Sequence, residues 1–556
     1  MKIIATLNFN NKKENIYLDE EINIFWIGEG KQTITSEELL QKYLSGDLSW
    51  INPPTEVVDN TVEQKNKIFT ANNFLSVKNC NRALYYLYHN LHQSTEHNDY
   101  LDLLAEDGLK VRELGYQLYS GGKYIYGGKQ WDSVEDTITA LKKGEDIIYG
   151  GRVQRNDEYI YSGILPILVR DTKSGGYKLI STTTSTKLKE DKHILRMGYL
   201  RWLAMENDLP ITSYELLTPN KEFLGGNGLD LTKYFVHYDI TEQVQETEEL
   251  IWQFINRIPE VVNGKEPPVD FGVCCSKCQY KSFCFSSLPE HHIFTLPRIT
   301  SSKKTLEFLK ENNIYDIKLI PDNLKLSENQ QRRKYCVEEN RIIASKDALS
   351  ILKNLPQPIH FIDFETFPMV VPKFSGMKPH QNLPFQWSNH ILNNNELTHD
   401  EYLDSTGGDC REEFLITLIE SCRNAATIAI YSPFETARLR ELEKIFPQHA
   451  DEIEEMINKF FDLEKFISTN IDHPQFYGRT SIKVVLPALY PKNLYAELPV
   501  HNGTGAITAY SKMIQPGIKS EEKLQIRKEL LDYCGLDTKA MVIIYNKLLE
   551  LLEKQY

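Results

Sequence analysis

The sequence predicts an α/β protein that folds as several domains. Its 556 residues are too many for one hydrophobic core and suggest roughly two to four domains. Segments with the two-residue alternation of strands and segments with apolar residues at helical spacing follow one another along the chain. The composition, 41% hydrophobic and 25% charged residues, is ordinary for soluble globular proteins. We therefore expect mixed sheets flanked by helices.

Charge and cysteine content narrow the class of protein. The formal charge of −14 argues against a protein that coats nucleic acid indiscriminately, because phosphate binding relies on surplus Lys and Arg. It is compatible with a local basic groove. No apolar run is long enough to cross a bilayer, and the N-terminus lacks the apolar core of a signal peptide, so we expect a cytoplasmic protein without membrane contact. In that reducing compartment, nine unevenly spread cysteines indicate metal binding rather than disulfides.

The first half of the chain divides into a small β-rich extension and a larger mixed domain. Residues 1–66 contain the strand-like "KIIATLNF" and "INIFWIG", then "LSWINPPTE", which predicts a turn and a boundary. Residues 67–290 begin with two helical patterns, "LSVKNCNRALYYLYHNL" and "LAEDGLKVRELGYQLY". They continue with the strand-like "YIYSGILPILVRD" and "GGYKLISTTTS", the predicted helix "HILRMGYLRWLAMEN", and the cysteine-rich "FGVCCSKCQYKSFC".

Residues 291–355 predict a helical connector, and residues 356–556 a second mixed domain. The second domain opens with a strand through "FIDFETF", followed by a hairpin made of "FQWSNHIL" and "ELTHDEYLD". A helix ("REEFLITLIESC"), a strand ("TIAIY") and another helix ("FETARLRELEKIF") come next. Residues 520–554 predict a long helical segment interrupted at its central glycine.

Paired acidic side chains in this second domain raise the question of a metal. In a strand, Asp363 and Glu365 share one face, while Ile362 and Phe364 take the other. Two buried neighbouring carboxylates raise each other's pKa unless a cation or donors lie between them. Tyr533 and Asp537 are four residues apart, so on a helix they reach a common point. Hard oxygen ligands of this kind suit Mg²⁺ or Mn²⁺.

Three motifs resemble those of the DEDD 3′-5′ exonuclease superfamily, which includes polymerase proofreading domains. "FIDFETF" resembles the first motif, and "IYSPFETARL" resembles the second, with Tyr431 in the place of an Asn and Glu435 in the place of an Asp. "YCGLDTKAM" resembles the third motif of the tyrosine subclass. The resemblance implies a ribonuclease H-like mixed sheet flanked by helices and a site that binds two Mg²⁺ or Mn²⁺ ions. Its predicted metal ligands are Asp363, Glu365, Glu435 and Asp537, and its predicted water-orienting residue is Tyr533.

An alternative is that these acids are surface residues among the 77 Asp and Glu of the chain. Further segments, "PKFSGMKPHQNLPFQWSNHI", "FFDLEKFI" and "GRTSIKVVLPALYP", resemble a bacterial family of two-part nucleases. In that family, the exonuclease-like domain follows an iron-sulfur, RecB-like domain, and the resemblance covers roughly residues 70–556. Asp462 and Lys483 are candidates for substrate contacts within it. Each is equally compatible with a helix cap or a solvated charge.

The cysteines of the front domain suggest a second metal site. Cys275, Cys278 and Cys284 have the spacing C-x2-C-x5-C, and Cys80 is a distant fourth candidate. Four thiolates suit either Zn²⁺ or an iron-sulfur cluster. The arrangement resembles CRISPR-associated and AddB-like nucleases, which implies a 4Fe–4S cluster that joins the ends of the domain. Cys274 beside Cys275 leaves the register open by one residue, and ordinary buried cysteines are the alternative.

The same resemblance predicts a PD-(D/E)xK restriction-endonuclease-like fold whose active site is degenerate. Pro166 stands in the place of the metal-binding Asp, and Ser181 and Thr183 stand in the places of the Glu and Lys. A neutral hydroxyl cannot replace the charge of a carboxylate at a metal. Tyr199 occupies the usual Gln position, and Glu106 is the one acid retained. Asp171 or Asp191 is an alternative replacement.

The resemblance thus implies a metal-dependent 3′-5′ exonuclease that acts on an end of single-stranded DNA or RNA, guided by an inactive front domain. A non-catalytic nucleic-acid-binding or scaffold protein with two degenerate nuclease folds is the alternative. "STTTSTKLKEDK" followed by "RMGYLRW" brings basic and aromatic residues together. This pattern is typical of single-strand binding or, equally simply, of a solvated helix face. The sequence indicates no particular protein partner.

Overall fold

The computed structural model of the protein describes residues 68–91, 99–125, 132–226, 228–492, 494–495 and 498–555, together with five strands within the first 50 residues. It shows a mixed α/β chain with several sheets. Among the described residues, no helix is both long enough and apolar enough to cross a membrane.

The first sheet is antiparallel and has the strand order β4-β3-β2-β1-β5. Its strands are β1 (Lys2–Phe9), β2 (Lys12–Asp19), β3 (Ile24–Ile27), β4 (Gln32–Ile34) and β5 (Leu48–Trp50). The first three residues of "LSWINPPTE", Leu48–Trp50, pair with β1, and the rest of this predicted turn and boundary lies outside the described residues. Such long-range pairing is invisible to local turn signals. The predicted boundary prolines, Pro53 and Pro54, lie outside the described residues.

The second sheet forms the centre of the front domain. Its strands are β6 (Ile68–Thr70), β7 (Lys123–Tyr124), β8 (Ile147–Asn156), β9 (Ile160–Asp171), β10 (Gly176–Thr182), β11 (Ile211–Pro219) and β12 (Phe235–Asp239). They lie in the order β12-β11-β10-β9-β8-β7, with β6 beside β9. The strands predicted from "YIYSGILPILVRD" and "GGYKLISTTTS" are confirmed as β9 and β10.

Helices cover both faces of this sheet. They are α1 (Ala71–Val77), α2 (Asn81–Tyr88), α3 (Asp99–Leu118), α4 (Asp132–Lys143), α5 (Leu195–Glu206), α6 (Leu231–Tyr234), α7 (Thr241–Glu246), α8 (Glu248–Asn263) and α9 (Lys281–Phe285). A π-helical turn, Glu190–Ile194, leads into α5, and a 3₁₀ turn, Val273–Lys277, precedes α9. The helical pattern around Cys80 is divided into α1 and α2, because Cys80 has an extended backbone and caps α2.

The predicted connector is helical and packs against the last domain. It contains α10 (Lys303–Glu311), α11 (Glu328–Glu338), α12 (Ala348–Lys353), β13 (Ile343–Ala344) and the 3₁₀ turns Ile293–Thr295, Ile299–Ser301 and Ile317–Leu319. β13 pairs with a short strand of the last domain, Ile471–Asp472. Arg333 is fully buried and lies 3.2 Å from Asp472, and it donates to the carbonyls of His473 and Pro474. The connector therefore forms part of the wall of that domain.

The last sheet is mixed and carries the acids of interest. Its strands are β14 (Ile359–Met369), β15 (Gln381–Asn393), β16 (Glu396–Leu403), β17 (Thr427–Ile430) and β18 (Phe460–Asp462), and the short Ile471–Asp472 is β19. The order is β16-β15-β14-β17-β18. β15 is antiparallel to β14 and β16, whereas β17 is parallel to β14 and β18. The predicted hairpin is confirmed, with Asn394 and Asn395 at positive φ in its two-residue loop.

Seven helices surround this sheet: α13 (Arg411–Cys422), α14 (Phe434–Ile445), α15 (Ala450–Asn458), α16 (Leu463–Asn470), α17 (Ile482–Leu489), α18 (Gly503–Met513) and α19 (Ser520–Gln555), with 3₁₀ turns at Pro447–His449 and Pro474–Phe476. The predicted interruption at Gly535 is wrong, because α19 is continuous over 36 residues. A side chain there would come within 3.5 Å of His399 on β16. That is an ordinary van der Waals distance, so packing does not require glycine here, and the contacts of α19 with β14 and β15 outweigh the low helix propensity of one residue.

The segment that follows β14 joins the two larger domains. Val370 is buried among front-domain residues, and its carbonyl accepts a hydrogen bond from Tyr234 at 3.0 Å. Gly225 exchanges backbone hydrogen bonds with Gly376 and Met377. The front domain therefore holds the strand that carries Asp363 and Glu365 from its C-terminal end.

Candidate metal centre

Three predicted ligands come together at the junction of β14 and α19. Asp363 and Glu365 project from the same face of β14, and Asp537 projects from α19, which packs against that face. One carboxylate oxygen from each lies within 4.8 Å of the other two. The opposite face of the strand places Ile362 and Phe364 in the apolar core under α13. The alternation of polar and apolar residues in "FIDFETF" therefore directs both acids to one point.

Burial and mutual repulsion disfavour the ionised forms of these carboxyl groups. Glu365 and Asp537 are 8% and 7% exposed. Burial raises the pKa of Asp363 far above its usual value, and the charges of Asp537, Glu365 and Glu435 add to that shift. The pKa of Glu365 is raised for the same reasons, burial first and then Asp537. A cation between these groups would stabilise their ionised forms.

Glu435 lies at the edge of this group. It is the second residue of α14, its side chain is 3% exposed, and its Oε2 is buried without a hydrogen-bond partner among the described residues. Its charge raises the pKa values of Asp363 and Glu365, so it is near them. It does not belong to the set whose oxygens lie within 4.8 Å of one another. Buried carboxylate oxygens normally have a hydrogen-bond partner or a bound ion. The unpaired Oε2 of Glu435 is therefore compatible with a cation at this edge of the site.

Two tyrosines and a lysine form the opposite wall. Tyr495 donates a hydrogen bond to Asp537 Oδ1 at 2.5 Å, and Tyr533 also hydrogen-bonds Asp537. Lys483 Nζ lies 5.6 Å from the ring centre of Tyr495 and 5.4 Å from that of Tyr533, and it donates to the carbonyl of His501. Its positive charge lowers the pKa values of Glu365 and Asp537. Lys483 therefore belongs to the site.

Tyr495 was not predicted from the sequence. It lies in an irregular segment between α17 and α18, far from the acids in the chain. The same segment leads to Gly503, where a Cβ atom would lie 3.9 Å from Glu365 Oε2, so the start of α18 also borders the site.

Asp462 has a local structural role. It caps α16, and its Oδ1 accepts a hydrogen bond from the backbone N–H of Lys465 at 2.8 Å. This matches the helix-cap alternative that its sequence allowed. Its charge also raises the pKa of Glu435, so a substitution at Asp462 would act on the site through Glu435.

The four candidate cysteines meet where α2, the 3₁₀ turn and α9 adjoin. Three of them, Cys80, Cys278 and Cys284, pack against the front-domain core. Burial is the main cause that raises the pKa values of Cys278 and Cys284, and the charges of Cys80 and Cys275 raise them further. Four thiolates on one zinc lie about 3.8 Å apart. Among the described residues, no three cysteine sulfurs approach within 4.8 Å of one another. Cys274 is exposed, while Cys275 is partly buried.

The residues at the predicted nuclease positions of the front domain, Pro166, Ser181, Thr183 and Tyr199, are not acidic. Thr183 bonds to His193 at 3.3 Å, Ser181 is buried, and Tyr199 donates to the carbonyl of Phe69 at 2.6 Å. Pro166 lies within β9. The alternative acids are dispersed: Asp171 accepts the N–H of Lys173 in a turn, and the exposed residues Glu106 and Asp191 lie on α3 and the π-helical turn. Among the described residues, the one group of three potential metal ligands is in the last domain.

Part of the last domain matches a protein-family model. Residues 360–481 match the model of a domain of unknown function, DUF2779. This match includes Asp363, Glu365, Glu435 and Asp462 but ends before Asp537. No curated protein matches the chain. A solved structure titled "Crystal structure of SSO0001" aligns with 14% identity over 40% of this chain and 88% of its own, with a TM-score of 0.20.

Proposed function

We propose that the protein is a metal-dependent 3′-5′ exonuclease that acts on an end of single-stranded DNA or RNA. The observation that carries this proposal is the buried group of Asp363, Glu365 and Asp537, whose oxygens lie within 4.8 Å of one another. The mixed sheet, with three antiparallel strands followed by helix, strand and helix, supports a ribonuclease H-like fold for this domain.

The residues present fit a pair of divalent cations. All the donors are carboxylate oxygens, which Mg²⁺ and Mn²⁺ prefer, and the orphaned Oε2 of Glu435 supplies a fourth acid at the edge. Asp363, Glu365, Glu435 and Asp537 would hold the ions. When bound, such ions lower the pKa of an attacking water and stabilise the leaving oxygen of a phosphodiester.

The other side chains orient this centre. Burial is the main cause that raises the pKa values of Tyr495 and Tyr533, so both phenols stay protonated and act as donors. Their hydrogen bonds fix the carboxylate of Asp537, and Tyr533 is the candidate that orients the attacking water. Lys483 makes no ion pair with a described carboxylate, which leaves its ammonium group available to a substrate phosphate.

In the front domain, we propose that Cys80, Cys275, Cys278 and Cys284 hold a 4Fe–4S cluster. Cys80 and Cys275 both act electrostatically on Cys278 and Cys284, which supports one shared site, and the resemblance of the C-x2-C-x5-C spacing to that of iron-sulfur nucleases favours a cluster over zinc. Bound there, the cluster would tie α2 to α9, two elements separated by almost two hundred residues, and so stabilise the domain.

The test is a cleavage assay with 5′-labelled single-stranded DNA and RNA in Mg²⁺ or Mn²⁺. We expect a ladder that shortens from the 3′ end with wild-type protein and no ladder with Glu365→Gln. Glu396→Gln, the same substitution at an exposed position of β16, is the matched control and should retain activity. If wild-type protein binds both strands but produces no metal-dependent ladder, the non-catalytic scaffold alternative replaces this proposal.

A further inference from the structure

A surface pocket of the front domain combines apolar walls with positive charge. It has a volume of about 280 Å³ and lies between α1, α5 and α8. Its apolar lining comes from Phe74, Leu195, Leu250 and Phe254, and its cationic lining from Lys78 and Arg257. Leu250 is 47% exposed, so the apolar lining is open to solvent at the rim. Phe74 and Phe254 are buried at the base of the pocket, so the aliphatic side chains of Leu195 and Leu250 are the surface that a flat apolar group would contact.

Arg257 is fixed by a hydrogen bond and a ring contact, and one of its guanidinium nitrogen atoms remains unpaired among the described residues. Its Nη2 donates to the carbonyl of Lys78 at 3.0 Å, and its guanidinium carbon lies 5.4 Å from the ring centre of Phe254. Its Nε is buried and has no hydrogen-bond partner among the described residues. The charge of Cys80 acts on Arg257, so the pocket adjoins the cysteine group.

A line of cations continues from the pocket along the π-helical turn. Arg196, next to Leu195, hydrogen-bonds Asn72, and the side chains of Lys189 and Lys192 are exposed. The positive charges of Arg196 and Lys189 and the negative charge of Asp191 all act on Lys192, so these groups lie close together. Neither lysine forms an ion pair with a described carboxylate. Glu190 and Asp191 lie in the same turn, so the four cations Lys187, Lys189, Lys192 and Arg196 leave a local net charge of +2, which favours an anionic partner in a chain of net charge −14.

We propose that this pocket and the adjoining cations bind single-stranded nucleic acid, with one base against Leu195 and Leu250 and the flanking phosphates on Lys189, Lys192 and Arg257. The alternation of apolar and cationic surface matches the alternation of bases and phosphates in a single strand. A purely polyanionic partner would use the lysines but not the apolar pocket. The inference rests on the proposed function for the class of ligand, and it deepens that function by assigning where the strand is held.

The bound strand would lead toward the last domain. The cationic segment follows Thr184 in the chain, and the carbonyl of Thr184 is hydrogen-bonded to His380, at the start of β15 and beside the end of β14. The same loop contains Thr183, which bonds to His193. His380 also donates its backbone N–H to the carbonyl of Met369 at the end of β14, so through His380 this loop contacts the strand that carries Asp363 and Glu365.

The proposed phosphate contacts of Lys189 and Lys192 are tested by fluorescence anisotropy with a labelled single-stranded oligonucleotide and the full-length protein. Divalent ions are left out so that the strand stays intact. Lys189→Glu combined with Lys192→Glu should weaken binding at least tenfold. It should also reduce the slope of log affinity against log salt by about 1.4, because two phosphate contacts are lost. The matched control is Lys142→Glu combined with Lys143→Glu at the end of α4, which is also exposed. This pair should bind like wild type, and equal affinities for the two double variants would overturn the proposal.

The proposed contact between a base and the apolar pocket is tested with an abasic strand of the same length. Wild-type protein should bind the base-containing strand several-fold more tightly, and Leu250→Ser should remove most of that difference. If both strands bind equally well to wild type, or if heparin competes as effectively as the oligonucleotide at equal charge, the base-binding pocket is refuted.

Failure of this inference is distinguishable from failure of the proposed function. Normal metal-dependent cleavage with unchanged binding by the charge-reversed variant refutes the pocket alone. Loss of binding by that variant, with no cleavage by wild type, refutes the exonuclease alone.

Discussion

Replacing Glu435 with glutamine should stabilise the metal-free protein at neutral and alkaline pH. Burial, with a further contribution from the charge of Asp462, raises the pKa of Glu435 from 4.5 to about 7. A carboxyl group whose pKa is raised in the folded state contributes its full stability below its unfolded pKa and loses that contribution as the pH rises through the folded pKa. The shift corresponds to about 3 kcal/mol of stability missing at pH 8, which the neutral amide would restore.

The assay is thermal unfolding of chelator-treated protein between pH 4.5 and pH 8. For a domain of about 200 residues, 3 kcal/mol corresponds to a rise in Tm of roughly 6–12 °C, so Glu435→Gln should melt higher than wild type by about that amount at pH 8. Most of the difference should vanish at pH 4.5, where Glu435 is almost fully protonated in the folded state and about half protonated in the unfolded state. Glu396→Gln, at an exposed position, should show no such gain. A variant that melts at or below the wild-type temperature at pH 8 would refute the reasoning.

Three further predictions concern residues around the two sites. Tyr495→Phe removes the hydrogen bond to Asp537, so the Mn²⁺ concentration that gives half of the thermal stabilisation should rise about tenfold; an unchanged titration would contradict this. Cys278→Ser should abolish the visible absorbance and iron content of anaerobically prepared protein, whereas Cys274→Ser should keep both; a colourless, zinc-containing wild type would count against the cluster. Thr183→Ala should leave metal-dependent cleavage unchanged, and a loss of rate beyond tenfold would show that the front domain keeps a catalytic role.

The parts of the site that sequence could predict depend on local periodicity. Asp363 and Glu365 share a face because a strand alternates, and Tyr533 and Asp537 share a face because a helix repeats every 3.6 residues. These relations hold within one element, so the spacing alone determines them. The hairpin at Asn394 and Asn395 was predictable for the same reason.

The parts that sequence could not predict depend on tertiary packing. Tyr495 reaches Asp537 from an irregular segment, and no spacing rule connects the two. Gly535 suggested an interruption of α19, yet the helix is continuous there, because its packing against the sheet outweighs the low helix propensity of one glycine. Leu48–Trp50 precedes two prolines and looked like a turn, but it forms a strand because β1 offers an edge for pairing.

The most direct test of the account is a crystal structure of Mn²⁺-soaked protein with anomalous data collected to locate the manganese. We expect two anomalous peaks about 3.5 to 4 Å apart, bounded by the carboxylates of Asp363, Glu365, Glu435 and Asp537. An ordered site with these four carboxylates and no peak among them would contradict the claim that they form a metal centre.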